Sequence, residues 1–467
     1  MNFFRLRENQ TTVRTEVVAG LTTYFTMAYI IFVNPSILAK AGMDYNSVLV
    51  ATCLAAALGT LLMAFLANYP FAQAPGMGLN AFFTFAVVLQ NGFTWQQGLA
   101  IVFISGVLFI LLTLTGLRSA VVEALPRSIR YAIPAGIGLF ITIIGFNNAG
   151  IVRVNQGPIV DIILSAETLE AGALVEQISR APAQILEMAS FRSPSVLLAG
   201  IGLLVIAVLY ARRVPGSILF SIVLTTLIGI PLGATPVPDS FSFTDIHLGD
   251  TLFQLDFAGL FDRDDSATAA PVLSVLTTLV VVIISFSLVD LFDTIGTLIG
   301  TADKGGFLDK DGRLPRMKRS LLADALATTF GALVGTSTVT TYIESNAGIA
   351  AGGRTGLTAL VVGVLFLLSI FLAPVAGMVP AAATAPALIL VGMLMMQSIQ
   401  RIDFADFENA LPAFLTIVLM PFTYSIANGI AAGIIFYVVI KLVRGKAAEV
   451  PLTLYLMAGL FVVKFVL

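Results

Sequence analysis

Two apolar stretches of the chain contain carboxylates whose spacing would bring them together inside a helical bundle. Four polar residues share one helical face, because they are spaced at i, i+3, i+4 and i+7: Asp290, Asp293, Thr294 and Thr297. Glu344 follows a Thr-rich run with strand-like character and precedes glycines that would allow an unwound segment. An ionised Asp at the centre of a bilayer costs about 2.5–3.5 kcal/mol on insertion scales, so such residues need a pore, a partner or a proton.

These carboxylates favour a neutral ligand that donates N–H bonds, or a cation, because no basic residue accompanies them in the apolar stretches. A carboxylate removed from water also takes up a proton more readily than one in solution. We therefore predict that Glu344, Asp290 and Asp293 can carry protons, and that no cofactor is needed. A single cysteine, Cys53, and a single histidine, His247, exclude cysteine-built and histidine-cluster metal sites, so we predict no metal and no catalytic residue.

The elements that hold these residues follow from composition. The chain has 467 residues, of which 58% are apolar and only 11% charged, whereas about a quarter of a soluble protein is charged. A bilayer crossing needs ~20 apolar residues, so fourteen crossings would use about 280. We predict an all-α polytopic membrane protein with fourteen transmembrane spans. The lipid bilayer is its partner, and a net charge of −2 argues against nucleic acid.

The distribution of basic residues predicts the orientation of these spans. When the N-terminus is placed in the cytoplasm, most of the 25 Lys and Arg residues fall on the cytoplasmic side. The two longest outer loops, 150–194 and 233–270, are acidic. The pattern predicts a multi-pass protein of the plasma (inner) membrane with a cytoplasmic N-terminus.

The chain divides into two halves of seven spans, and an odd number per half requires the halves to run in opposite directions. A short proline motif at 132–135 opens the fifth span, and a similar motif at 385–387 lies near the start of the twelfth. The third span, 71–90, and the tenth, 337–352, are short and rich in helix-breaking or small residues, and we expect strand-like or unwound segments there. Matched broken spans in inverted halves indicate a transport site at the midplane. Alternatively, small residues merely allow close helix packing.

Two further polar residues are interpreted as structural. Asp324 lies near the predicted cytoplasmic end of the ninth span, where we expect it to hydrogen-bond a neighbouring helix, away from both broken spans. His247 lies in an outer loop and is expected to be a solvated bystander.

Four motifs in the chain resemble those of the AzgA-like purine permeases, a branch of the nucleobase–cation symporter family related to the uracil and xanthine permeases. They lie in the first, third, eighth and tenth spans, at residues 23–35, 74–83, 290–297 and 343–356. The resemblance extends from about residue 5 to 445. It implies an inverted repeat of seven plus seven spans.

The resemblance also implies that the chain divides into a core domain and a gate domain, and that two chains form a homodimer. Spans 1–4 and 8–11, at residues 16–116 and 271–374, would form the core. Spans 5–7 and 12–14, at residues 131–232 and 380–444, would form the gate. The remaining apolar stretch, 451–467, is predicted to be a short C-terminal helix packed on the bundle or lying at the interface.

By the same resemblance, Glu344 matches the substrate-binding glutamate of the tenth span and Asp290 the acidic residue of the eighth. The predicted substrate-binding residues are these two acids and residues of the two broken spans. The full set is Glu344, Asp290, Gly78, Leu79, Asn80, Ile343, Asn346, Phe82 and Phe83. The uracil-permease branch has a histidine one turn after the acid of the eighth span, where this chain has Thr294. This difference leaves proton coupling to the carboxylates.

The leading functional hypothesis is proton-coupled import of guanine, hypoxanthine or adenine, with the core moving against the gate in alternating access. The nearest alternative is an anion exchanger of the same fold, which Glu344 and Asp290 oppose because they would repel the substrate. The other alternative is an intramembrane enzyme. An aspartyl protease would need its acids on separate helices in a Gly-x-Gly-Asp context, and a diphosphate enzyme would need basic residues near them; both are absent.

Overall fold

A computed structural model describes residues 3–115, 125–154, 186–237, 246–261, 271–310 and 313–466. Large parts of the predicted outer loops 150–194 and 233–270 therefore lie outside the described residues. The same holds for Gly116, which ends the first predicted core range, and for Leu467.

The first half begins with a span that is interrupted at Ala28 and Tyr29, between α1 (Val13–Met27) and α2 (Ile30–Leu38). Two later helices continue into π-helical segments, α3 into Met63–Ala67 and α4 into Phe82–Gln90. The further elements of this half are α3 (Tyr45–Leu62), β1 (Gln73–Pro75), α4 (Met77–Ala81), α5 (Trp95–Thr115), α6 (Arg127–Asn148), β2 (Val152–Val154), β3 (Leu186–Met188), α7 (Pro194–Ala211) and α8 (Ser217–Gly229).

The second half begins with the longest helix and ends with a short one that packs on the bundle. Its elements are α9 (Pro271–Gly305), α10 (Met317–Val334), β4 (Val339–Thr341), α11 (Ser345–Ala350), α12 (Gly356–Ser369), α13 (Ala373–Ala376), α14 (Ala381–Met395), α15 (Phe407–Phe422), α16 (Ile426–Val443) and α17 (Leu452–Val466). The C-terminal α17 lies against α9 and α16 and buries Leu454, Ala458 and Phe461.

Within the described residues, nine helical segments are long and apolar enough to cross a bilayer. Four shorter apolar helices accompany them: Met77–Gln90, Ser217–Gly229, Phe407–Phe422 and Leu452–Val466. The chain is therefore a mostly helical multi-pass membrane protein. The count of fourteen crossings stays a prediction, because several of the predicted spans are short helices or combine a strand with a helix.

The strand-like segments expected in the third and tenth spans are present, and they pair with each other. Strands β1 and β4 are antiparallel, with Ala74 opposite Thr340, and both are fully buried. The pairing extends beyond the strands, since Gly76 N donates to Thr338 O at 3.0 Å and Tyr342 N donates to Ala72 O at 2.9 Å. Away from water every backbone group needs an internal partner. Each broken span therefore supplies the hydrogen bonds that the other lacks.

Helices α6 and α14 pack with their backbones in close approach. A Cβ atom on Gly138 would lie 2.5 Å from Gly392 O, and one on Gly392 would lie 2.4 Å from Gly138 O. Glycine at these two positions allows the close approach of the two helices. The two helices also carry the proline motifs, with Pro134 inside α6 and Pro386 inside α14.

The remaining packing follows a pattern that repeats between the halves. Helices α1 and α3 of the first half lie against α12 of the second, whereas α9 and α10 of the second half lie against α5 of the first. The paired strands β1 and β4 lie between these groups, with α3 and α10 in contact with them. The two broken spans are thus held at the centre of a helical frame.

Candidate functional site

Glu344 lies where three interrupted elements meet. It lies three residues after the end of β4 and directly precedes the first residue of α11, and its side chain is half-buried. The hydroxyl of Tyr29 donates a 2.7 Å hydrogen bond to Glu344 Oε1. Tyr29 is 1% exposed and occupies the interruption between α1 and α2. One oxygen of the carboxylate is therefore oriented by the first span while the residue itself is positioned by the tenth.

The two aspartates of α9 have different surroundings. Asp290 is fully buried, whereas Asp293, almost one turn later, is half-buried. Asp293 accepts a hydrogen bond from the Thr340 side chain in β4 and interacts electrostatically with Glu344. The structure thus brings Asp293 to the crossing of the broken spans, and Asp290 lies in the packed interior beside it.

Asp324 is closer to this cluster than its sequence position indicated. The expected interhelical hydrogen bond is present, because Thr294 Oγ1 donates to Asp324 Oδ1 at 2.8 Å. Asp324 also interacts electrostatically with Asp293, the aspartate that contacts Thr340 of the tenth span. Its helix α10 lies against β4, where Thr328 Oγ1 donates to Val339 O at 3.0 Å.

Three predicted residues of the third span, Gly78, Leu79 and Asn80, lie buried in α4. Asn80 Oδ1 accepts a hydrogen bond from Ser337 Oγ, which joins the third span to the tenth. Asn80 Nδ2 has no hydrogen-bond partner among the described residues, so a buried amide donor remains to be satisfied. A Cβ atom on Gly78 would lie 2.6 Å from Ile137 Cγ2, so glycine here allows α4 to approach α6.

The two candidate aromatic residues pack in different directions. Phe82 contacts Phe286 of α9, with ring centroids 5.1 Å apart and planes at 58°. Phe83 lies against α5, where a Cβ atom on Gly98 would be 2.8 Å from its Cε2. Both rings are fully buried. Phe82 is therefore the one beside the helix that carries the aspartates.

The tenth span provides the accessible side of the cluster. Ile343 is 53% exposed and Asn346 is half-buried. Tyr342 is only 6% exposed and its hydroxyl donates to Pro75 O at 2.5 Å, so it ties the two broken spans together. The accessible part of the cluster therefore includes Ile343 and Glu344, whereas Tyr342 and the strand pair are buried.

Glu16 was missed in the sequence and forms a second buried carboxylate centre. Its Oε1 accepts from Arg354 N at 3.0 Å, and its Oε2 accepts from Thr355 N at 3.3 Å. Oε2 also accepts from Thr358 N at 3.2 Å and from Thr358 Oγ1 at 2.6 Å. Glu16 thus satisfies backbone N–H groups at the start of α12 from the neighbouring α1. Its side chain was hard to find because the capping partner is distant in sequence.

Tyr29 and Tyr342 were also not singled out as site residues. Tyr29 lies within the first-span motif 23–35, but no local pattern shows that its hydroxyl reaches a residue 315 positions away. Tyr342 directly follows β4, and its contact with Pro75 depends on the strand pairing. Both contacts exist only because the broken spans meet.

At one end of the bundle, three contacts join the first and third spans to the ends of α6 and α15. Lys40, just after α2, donates to Asn148 Oδ1 at the end of α6. Gln90 Nε2, at the end of the third span, donates to Thr423 O after α15 at 3.1 Å. Tyr424 packs edge-on against Phe85, with ring centroids 5.8 Å apart. We refer to these three contacts as the Lys40 closure.

His247 is not the solvated bystander that was expected. Its Nε2 lies 3.1 Å from Asp250 Oδ2 and 3.3 Å from Asp44 Oδ2. Among the described residues, these three form the one group with metal-ligand chemistry and ligand atoms within 4.8 Å of one another. The group is exposed and separate from the carboxylates of the broken spans. The sequence could not indicate it because Asp44 and His247 belong to opposite ends of the first half.

Comparison with known proteins agrees with the resemblance in the motifs. The sequence profile of the Permease family (Xan_ur_permease) matches residues 14–432. The chain is 43% identical to the adenine permease AdeP of Escherichia coli strain K12, over 99% of this chain and 95% of that protein. It is 42% identical to the guanine/hypoxanthine permease PbuO of Bacillus subtilis strain 168, over 99% of this chain and all of that protein.

Among solved structures, the transmembrane domain of the cyanobacterial bicarbonate transporter BicA has a similar fold. The TM-score is 0.61 at 16% identity, with 90% of this chain and 97% of that chain covered. At this identity the likeness concerns the fold alone. The enzyme alternative is excluded, since the family and its relatives are transporters. With the profile match and these full-length relatives, the chain belongs to the Permease family.

Proposed function

We propose that this permease imports purine nucleobases, namely guanine, hypoxanthine or adenine, by proton symport. The observation that carries the proposal is the pair of half-buried carboxylates, Glu344 and Asp293, at the crossing of two broken spans. The relatives named as adenine and guanine/hypoxanthine permeases support the same substrate class.

The chemistry of the cluster suits a neutral ring that both donates and accepts hydrogen bonds. Glu344 accepts from the N–H edge of the purine, and the buried amide of Asn80 donates to a ring nitrogen or carbonyl. Phe82, packed against Phe286, supplies an apolar wall beside the ring. A hydrogen bond to a charged group contributes about 1.5–3 kcal/mol, so Glu344 makes the largest single polar contribution.

The anion-exchange alternative is disfavoured by charge rather than by fold. The fold is shared with a bicarbonate transporter, so architecture alone does not choose between the two substrates. An anion at the crossing of the broken spans would face Glu344 and Asp293, which repel it. A purine faces no such cost.

Proton coupling rests on the same carboxylates. Glu344, Asp290 and Asp293 are the proposed proton carriers, and Asp293 interacts electrostatically with both Glu344 and Asp324. Neighbouring carboxylates of like charge can share a proton, because a proton between them removes their repulsion. Uptake then draws on the proton gradient, and no cofactor takes part.

The proposed architecture has fourteen spans in two inverted halves, divided into core and gate as the sequence predicts. The packing supports it, because α1 and α3 lie against α12 just as their proposed equivalents α9 and α10 lie against α5. Likewise β1 pairs with its proposed equivalent β4. Helices α6 and α14 of the gate also pack against each other.

The difference between the two ends of the bundle supports alternating access. The positive-inside distribution assigns the Lys40 closure to the outer side, and Ile343 is 53% exposed beside Glu344. In this conformation the site would open to the cytoplasm, and rocking of core against gate would break the closure. The proposal includes a plasma-membrane location, a cytoplasmic N-terminus and, from the family resemblance, a homodimer.

Uptake of labelled purines in cells that lack purine transporters tests the function. We expect accumulation of at least one purine, competition by unlabelled purines, no competition by sulfate or bicarbonate, and loss of accumulation with a protonophore. An E8Q variant, which changes an exposed carboxylate of the N-terminal segment, serves as the expression control. Strong inhibition by sulfate without inhibition by hypoxanthine would refute the substrate class, and protonophore-insensitive accumulation would refute the coupling ion.

A further inference from the structure

The outer loop 246–261 is hydrogen-bonded to the end of α10 and the start of α5. Thr251 Oγ1 donates to Val334 O at 3.1 Å, and Phe253 N donates to Leu333 O at 2.8 Å, both at the end of α10. Asp256 N donates to Gln96 O of α5 at 3.3 Å. His247 and Asp250 are therefore held in place by the packing of the loop and not only by their own contacts.

Asp44 is equally well fixed from the other side. It is the N-cap residue of α3, and its Oδ2 accepts a 2.7 Å hydrogen bond from Ser47 N. The same Oδ2 lies 3.3 Å from His247 Nε2. Ser47 Oγ also lies 3.5 Å from Asp250 Oδ2, so the helix start and the loop face each other.

Two aspartate oxygens thus converge on one imidazole nitrogen. An imidazole nitrogen carries either a single proton or a lone pair, so it makes one good hydrogen bond, not two. Bringing two carboxylates together also costs electrostatic free energy unless a cation lies between them. The two carboxylates therefore carry more negative charge than this single histidine can neutralise.

We propose that Asp44, His247 and Asp250 form a binding site for a divalent transition-metal ion, with Zn²⁺ as the best match. Zinc bonds of about 2.1 Å to N and O place tetrahedral ligands about 3.4 Å apart. The separations of 3.1 and 3.3 Å between His247 Nε2 and the two carboxylate oxygens agree with this geometry. An imidazole ligand favours zinc or nickel over calcium, which prefers oxygen ligands alone. The bound ion ties the loop to the start of α3.

The chain offers an unusually clean background for the measurement. His247 is the single histidine and Cys53, the single cysteine, is buried. The full-length protein is purified in detergent with an affinity tag that contains no histidine. Zn²⁺ binding is measured by calorimetry, Co²⁺ coordination by its visible absorption, and Ca²⁺ serves as the comparison ion.

We expect saturable binding of one Zn²⁺ per chain, a melting temperature that rises with Zn²⁺, and much weaker binding of Ca²⁺. H247A and D44N should each weaken Zn²⁺ binding about tenfold or more. Asparagine at position 44 keeps an N-cap oxygen, so helix α3 stays intact in D44N. The matched E8Q control, at an exposed carboxylate of the N-terminal segment, should bind as the unmodified chain does.

Three results would overturn the proposal. Absence of saturable Zn²⁺ binding would mean that His247 only hydrogen-bonds the two aspartates. Binding of wild-type strength in H247A would exclude the imidazole as a ligand. Equal weakening in E8Q would indicate diffuse binding to surface carboxylates. Because the readout is metal binding, none of these results depends on whether the protein transports purines.

Discussion

Glu16 lies in the first turn of α1, and Glu344 lies between β4 and α11. These two carboxylate centres differ in how many hydrogen bonds their oxygens accept within the protein. Glu16 is fully buried and accepts hydrogen bonds from three backbone N–H groups and the Thr358 hydroxyl. Glu344 is half-buried, and Tyr29 donates to its Oε1. A saturated, inaccessible carboxylate stabilises the fold, whereas an accessible one with spare acceptor capacity can bind a ligand or a proton.

The difference also explains what each centre joins. Glu16 connects α1 to the start of α12, two helices that pack along their length. Glu344 belongs to the crossing of β1 and β4, where the chain leaves helical geometry on both sides. The substitutions below test whether stability and transport separate in this way.

E344Q should have the largest effect on transport. The substitution keeps the shape and one acceptor but removes the charge and the titrating proton, so coupled uptake should be lost. Purine affinity should fall about tenfold to a hundredfold, since a charged hydrogen bond contributes about 1.5–3 kcal/mol. Purine binding to purified protein and uptake in cells are measured together with the melting temperature. Wild-type binding by E344Q would show that Glu344 is not a ligand.

D290N and D293N distinguish the two aspartates of α9. Both aspartates are proposed proton carriers, but Asp293 is the one that contacts Thr340 and interacts with Glu344. We expect D293N to abolish proton-driven accumulation. We expect D290N, at a fully buried position beside the site, to be nearly as severe as E344Q, because it removes a proposed proton carrier. Retained proton-dependent accumulation in D293N would exclude Asp293 as a proton carrier.

E16Q should primarily lower stability. The amide keeps one acceptor oxygen but turns an NH₂ group toward backbone N–H donors, which leaves buried donors unsatisfied. The expected loss is about 3 kcal/mol in the free energy of unfolding, comparable to removing one charged hydrogen bond and exposing its partners. The melting temperature should fall, while purine affinity in the folded fraction stays at the wild-type value. Loss of affinity without loss of stability would contradict the division between the two centres.

Y29F tests the orientation of Glu344. Phenylalanine fills the same buried space but cannot donate to Oε1, so the carboxylate loses its hydrogen bond from the first span. We expect purine affinity to fall about fivefold to tenfold, in line with about 1 kcal/mol for one hydrogen bond, and the pH dependence of uptake to shift. Y342F is the matched comparison, because Tyr342 contacts a backbone carbonyl instead of the carboxylate. An unchanged pH profile in Y29F would argue against this positioning role.

D324N should have the smallest effect. Asparagine keeps an oxygen that accepts the Thr294 hydrogen bond, so the contact between α9 and α10 is preserved. The change removes one negative charge near Asp293 and should shift the pH profile of uptake without abolishing it. Complete loss of uptake would place Asp324 among the proton carriers.

The sequence by itself determined the class of the protein and the two broken spans, and it singled out Glu344, Asp290 and Asp293 as candidate site residues. These features are local: apolar length, proline and glycine breaks, and carboxylates where lipid would otherwise exclude them. Helical spacing also placed both aspartates on one face of α9. It could not say which of the two reaches Thr340, because a face spans more than one turn.

Contacts between distant segments were decided only by the tertiary structure. The pairing of β1 with β4 brings Tyr342 to Pro75 and Ser337 to Asn80, and no local pattern encodes that register. The cap that Glu16 makes on α12 and the convergence of Asp44 on His247 likewise join segments that are far apart in the chain. Hydrogen bonds act over about 3 Å in space irrespective of sequence separation, so only the packed fold reveals them.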